Sequence, residues 1–196
     1  TGPDTQRLKR VEPEPELKRG RKYMVCYLGV MGPQDGVDYL LRSIEFITRT
    51  NGRNDILFAL IGGGDCFNDL KKMSVELGVD KYVLFTGRIP DEELVRYIST
   101  ADVCVGPDPK NELNNNSTMN KIMEYMAMGK PIVSFDLKET RFSAGAAALY
   151  ARPNDPTDFG NKILELLKDG KKRREMGEYG RKRIEQELAW EYKKNN

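Results

Sequence analysis

From residue 23 onward, apolar positions along the chain alternate between two patterns. Short continuous runs rich in β-branched and aromatic residues read as buried strands, and stretches with apolar residues three and four apart read as amphipathic helices. The strand-like runs are Tyr23 to Gly29, Asp55 to Ile61, Tyr82 to Thr86, Asp102 to Val105, Pro131 to Phe135 and, more weakly, Ala147 to Tyr150. Between them, Val37, Leu40, Leu41, Ile44 and Ile47 stripe one helix, and Leu70, Met73 and Leu77 stripe a second. A third opens at Pro90-Asp91-Glu92-Glu93, with proline and acids in the first turn where the helix dipole favours them. A fourth carries Ile122, Met123, Met126 and Ala127 and stops at Gly129-Lys130-Pro131. Two further helices follow, one from Asp155-Pro156-Thr157-Asp158 with Phe159, Ile163, Leu166 and Leu167 inward, and a highly charged one over 170–188. The segment between the fifth and sixth strands has no clear pattern. Strands alternating with helices predict an α/β fold: a Rossmann-like, doubly wound parallel sheet of about six strands with helices on both faces. Ligands bind such sheets beyond the carboxyl ends of the strands.

Residues 1–22 lack this periodicity. They carry Glu12-Pro13-Glu14-Pro15-Glu16, the composition of an extended, stiff linker, and are expected to join the domain over 23–190 to a domain ahead of it. Residues 191–196 read as a truncated or frayed tail. Charge changes the picture little: 32 basic against 30 acidic residues give a net charge of +2, so nothing global favours nucleic acid. No run is long and apolar enough to span a bilayer, and the charged, proline-bearing start does not resemble a signal peptide, so the expected location is cytoplasmic. Cys26, Cys66 and Cys104 show no paired metal-ligand spacing, and the chain has no histidine. Zinc sites, Ser-His and Cys-His nucleophile pairs and histidine acid–base chemistry are thereby excluded for this chain on its own. Cys26 and Cys104 lie in strand-like runs and are expected to be buried, inert thiols.

Candidate chemistry concentrates at residues 111 to 136, NELNNNSTMNKIMEYMAMGKPIVSFD, where a polar loop feeds a helix and then a strand. Ser117 and Thr118 are good N-cap residues, and unpaired N–H groups at a helix start attract anions. Lys121 and Glu124, three apart, share a helix face within a turn or two of that start. The arrangement suits a sugar-phosphate ligand; a capped amphipathic helix with a surface ion pair accounts equally for the local spacing. The loops Gly29 to Gly36, Gly62 to Asp65, Gly87 to Ile89 and Gly106 to Thr118 should meet at one edge of the sheet. Their glycines would let backbone approach a nucleotide or phosphate, although strand-to-helix turns also use glycine for geometry alone. Neither a P-loop nor a G-x-G-x-x-G fingerprint occurs.

Taken together, Gly29 with Gly36-Val37-Asp38-Tyr39-Leu40-Leu41, then Leu60-Ile61-Gly62-Gly63-Gly64, Val83-Leu84-Phe85-Thr86-Gly87-Arg88-Ile89 and Asn120-Lys121-Ile122-Met123-Glu124-Tyr125-Met126-Ala127-Met128-Gly129-Lys130-Pro131 resemble the C-terminal half of the GT-B fold glycosyltransferases of family 4, or group 1. The resemblance implies a nucleotide-sugar-binding domain of a retaining transferase, with a nucleotide diphosphate sugar as donor substrate and no metal. It also implies a preceding acceptor-binding domain as partner, and a fragment that is inactive alone. It makes Glu124 the acceptor of both ribose hydroxyls and gives the diphosphate to the backbone around Ser117, Thr118 and Met119. Gly87, Arg88 and Ile89 would line the base, and Gly62, Gly63 and Gly64 would approach from the side. Three positions depart from the family pattern: Asn116 stands eight residues before Glu124 where the family has a second glutamate, and Val30 and Asp35 stand where it usually has arginine and lysine. Lys121 is the candidate to offset Asp35. A nucleotide-sugar epimerase of similar fold and a non-catalytic binding module stay open beside the transferase, and the base, sugar, acceptor and oligomeric state are unspecified.

Overall fold

The computed structural model describes residues 8–117 and 120–194. Six strands, β1 (Tyr23–Leu28), β2 (Ile56–Ile61), β3 (Val83–Gly87), β4 (Val103–Gly106), β5 (Ile132–Phe135) and β6 (Ala148–Ala151), form one parallel sheet in the order β3-β2-β1-β4-β5-β6. The expected fold is therefore the observed one, each strand lying within a residue or two of its predicted span. The helices are α1 (Val37–Glu45), α2 (Phe67–Glu76), α3 (Asp91–Thr100), α4 (Glu112–Asn115), α5 (Asn120–Ala127), α6 (Lys138–Ala144), α7 (Pro156–Leu167) and α8 (Gly170–Lys194). A π-helical stretch, Phe46–Thr50, extends α1.

Side chains alternate across each strand, so a sheet covered twice needs apolar residues at every position. Val25 and Tyr27 of β1 point into one core with Leu40, Leu41 and Ile44 of α1 and Phe159, Ile163 and Leu166 of α7. Met24, Cys26 and Leu28 point into the other with Leu94 and Ile98 of α3, Ile122, Tyr125 and Met126 of α5 and Ile184 of α8. Cys26 and Cys104 are fully buried in this second core, and burial raises both thiols, Cys104 to about 12, so they stay protonated and inert.

Two elements escape the periodicity reading. α6 fills the unassigned segment, but it buries only Thr140 and Ala144 and leaves Phe142 exposed, so it carries no apolar stripe. α4 is a single turn inside the expected loop, capped by the Asn111 carboxamide oxygen, which accepts from Asn114 N–H at 2.8 Å. The segment expected as a linker, where described, lies against α3. Val11 N–H donates to Ser99 Oγ at 3.0 Å, Glu14 N–H to Thr100 Oγ1 at 2.9 Å, the Glu14 carboxylate pairs with Arg96, and Leu8 is buried. The docking uses backbone donors, an ion pair and an apolar anchor, which composition alone does not reveal.

Candidate functional site

β2 and β3 wind outward from β1 in one direction, and β4, β5 and β6 in the other, so the order reverses between β1 and β4. Loops after these two strands part at their carboxyl ends, which opens a crevice. Below it the ladder is intact, with Val25 opposite Val103, Cys26 opposite Cys104 and Tyr27 opposite Val105. The next rung would join Leu28 N–H to Val105 C=O. Both groups instead meet the Tyr125 hydroxyl, which accepts from Leu28 N–H at 2.9 Å and donates to Val105 C=O at 2.8 Å. α5, which supplies Tyr125, is thus plugged into the floor of the crevice.

One turn earlier on the same face, Lys121 is also buried. Its Nζ donates to both Asp108 carboxylate oxygens at 3.0 and 3.1 Å, lies 4.0 Å from Asp35 Oδ1 and sits 5.4 Å from the centre of the Tyr27 ring. Burial pushes the Asp108 carboxyl above its ordinary value, and the Lys121 charge offsets only part of that rise. Lys121 does lie beside Asp35, as the sequence suggested. Its charge is already met within the protein, chiefly by Asp108, a residue the sequence reading did not single out. Asp35 has a further structural role, accepting from Gly32 N–H at 2.8 Å and so closing the loop after β1. Tyr27 holds the same loop by donating its hydroxyl to Val30 C=O at 2.7 Å.

The structure brings most of the predicted residues to the carboxyl edge, with altered roles for some. Glu124 lies half-buried on α5 beside Tyr125, and Gly87, Arg88 and Ile89 follow β3, with Arg88 exposed. Gly62, Gly63 and Gly64 follow β2, but two of them have a purely protein-internal reason to be glycine. A Cβ on Gly62 would overlap the Gly29 carbonyl, and one on Gly64 would lie 2.8 Å from Met31 N and O. The two loops bond to each other, Met31 N–H to Gly63 C=O and Cys66 N–H to Met31 C=O, so loop-against-loop packing by itself requires Gly62 and Gly64. The Ser117 hydroxyl donates to Leu113 C=O at 2.6 Å, closing α4. Asn116 does the same through Nδ2 to Glu112 C=O at 3.0 Å. Thr118 and Met119 lie outside the described residues. Asn114, unremarked in the sequence, is buried and ties the β4 loop to the β1 loop, Nδ2 donating to Pro109 C=O at 2.9 Å and to Gln34 C=O at 3.1 Å.

Two cavities of about 1010 and 580 Å³ flank residues 8–13 and α8 at the amino-terminal side of the sheet, and none of the predicted site residues lines them. The carboxyl edge is an open crevice, bordered at Gln34, Asn111, Glu112 and Leu113 by a cavity of about 530 Å³. Among the described residues, no cluster of three or more Cys, Asp or Glu is placed to hold a metal ion, and no helix is long and apolar enough to cross a membrane.

A family model described as glycosyl transferases group 1 matches residues 22–169, three-quarters of the chain and all six strands. The chain belongs to the group 1 glycosyltransferases. An uncharacterized glycosyltransferase of Methanocaldococcus jannaschii is 27% identical over 172 residues, which are 84% of this chain and 44% of that protein. The chain thus spans less than half the length of this relative. Among solved structures, the C-terminal domain of a glycosyl transferase group 1 family protein, LpcC, from Francisella tularensis superposes with a TM-score of 0.75 at 16% identity, covering 95% of this chain and 98% of that one. Anabaena HepE, solved in complex with UDP and glucose, superposes at 0.74 and 17% identity over 95% of this chain and 51% of that one. At such identities these two show the fold alone: this group 1 chain has the architecture of a C-terminal GT-B domain.

Proposed function

We propose that this group 1 domain binds the nucleotide diphosphate sugar donor of a retaining glycosyltransferase, in the crevice between β1 and β4. The observation that carries the reading is the placement of Glu124. It sits on the one helix plugged into the strand-order reversal, where doubly wound sheets take their ligands. A carboxylate there can accept both hydroxyls of a ribose. Gly87, Arg88 and Ile89 would line the base, and Gly63 the side of the nucleotide. The solved HepE complex, which shares this fold and contains UDP and glucose, supports the ligand class.

The diphosphate would be held chiefly by backbone N–H groups between α4 and α5, because Lys121 is engaged by Asp108 and Val30 and Asp35 supply no cation. No metal takes part in this reading. Calorimetric titration with UDP and with GDP tests it. Wild-type chain should bind one of them, Glu124→Ala should weaken that binding at least tenfold, and EDTA should leave the affinity unchanged. Absence of binding at millimolar ligand, or an unaltered Glu124→Ala, overturns the donor site.

A further inference from the structure

A parallel ladder that ends between two strands ordinarily just frays, its last N–H and C=O turning to water. Here the last rung between β1 and β4 is made through a side chain. The Tyr125 hydroxyl is fully buried and stands between Leu28 N–H and Val105 C=O, at 2.9 and 2.8 Å. A phenol oxygen there keeps the two strands further apart than a direct N–H···O=C bond would, at the height where the crevice begins. It also ties the middle of α5 to both sides of that crevice. One turn earlier, Lys121 ties the start of the helix to Asp108 on the loop after β4. These two anchors are four residues apart on one face, so they fix the rotation and the axial height of α5 together.

We propose that Tyr125 is a positioning residue for donor binding: its hydroxyl wedges β1 from β4 and fixes α5 at the height where the Glu124 carboxylate meets the ligand. The inference rests on the donor-site reading above. Burial raises the phenol well above its ordinary value, so the hydroxyl keeps its proton, and donates to Val105, throughout the working pH range. Phenylalanine fills the same space but leaves one buried N–H and one buried C=O without this partner. Those groups regain bonds by closing the strands onto each other or by admitting water, and either outcome moves α5.

The experiment is a double-mutant cycle read by calorimetry with UDP or GDP, whichever the wild-type chain binds, well below the unfolding temperature of every variant. Tyr125→Phe is expected to weaken binding about tenfold in the wild-type background and less than twofold in the Glu124→Ala background, because its effect runs through the carboxylate. A merely structural hydroxyl would lower the melting temperature and leave the affinity of the folded protein alone. Unchanged affinity, or equal losses in both backgrounds, overturns the proposal. Should Tyr125→Phe fail to fold, amide exchange of the wild-type protein decides: bound nucleotide should slow exchange of the Leu28 N–H at least tenfold, and an unchanged rate overturns the wedge. If the wild-type chain binds neither nucleotide, the donor-site reading falls and takes this inference with it, whereas binding with additive losses removes the inference alone.

Discussion

Lys130, at the turn between α5 and β5, is an ammonium 4% exposed, with two of its protons given to the carbonyls of Ser99 and Ala101 at 2.9 and 2.8 Å. Burial lowers its pKa from 10.5 to about 8, because two carbonyl dipoles replace only part of the hydration that the charge has lost. Between those two values the unfolded chain holds the extra proton, so Lys130 makes the fold more stable as pH rises through that window and costs stability below it. Cys26, Cys104 and Tyr125 act oppositely at high pH, since burial raises them, so the lysine is isolated by comparison with Lys130→Met. The difference in unfolding free energy, wild type minus Lys130→Met, should grow by about 3 kcal/mol from neutral pH to pH 10.5 in denaturant titrations. A flat difference would mean that the ammonium is hydrated in solution. The lysine was legible in the sequence only as part of a helix stop. Its burial depends on where the end of α3 lies, and no local pattern reports that. The same holds for Asp108 and Tyr125. Helical periodicity identified Ile122 and Met126 as inward, and both are. It passed over Lys121 and Tyr125, which share the buried face because the polar floor of the crevice lies opposite them, and that floor exists only once β4 is placed beside β1.

At the level of elements, the six strands were readable because cover on both faces leaves no charged residue in any of them, while the carboxyl-edge loops were readable only as glycine-bearing turns. Their glycines separate into two kinds. Gly64 has φ +155° and a Cβ direction that runs into Met31 backbone, and Gly87 has φ +69° with open space around it. Alanine at Gly87 pays only the left-handed backbone penalty, about 1–2 kcal/mol. Alanine at Gly64 must in addition push the loop after β1 away from the loop after β2, breaking the bonds that join Met31 to Gly63 and Cys66. Gly64→Ala should therefore lower the melting temperature clearly more than Gly87→Ala does, and calorimetric scans of the two variants check the order. The reverse order would mean that the loop after β1 yields to a Cβ at Gly64 at little cost.

Across the whole molecule, polar contacts pin the β1–β4 pair at both ends. Asp102 accepts from Met24 N–H at 2.9 Å at the amino end of the pair, and the Tyr125 hydroxyl closes the carboxyl end. The crevice is thereby preorganised in the free domain, which lowers the cost of ligand binding. Sugar transfer demands more than a bound donor: an acceptor must be held within reach of it, and effective molarity between the two supplies a large part of the rate. The residues assigned above are proposed to hold a nucleotide, and none of them is assigned as an acid, base or acceptor clamp. We therefore expect the purified 196-residue chain to bind nucleoside diphosphate while producing sugar transfer no faster than the uncatalysed background. Assaying radiolabelled UDP-sugars and GDP-sugars with a panel of polyol and glycoside acceptors checks this. Turnover at ordinary enzyme rates would place a complete acceptor site on this single sheet, and the open surface carrying Val30 and Leu113 at its carboxyl edge would be the first place to map it.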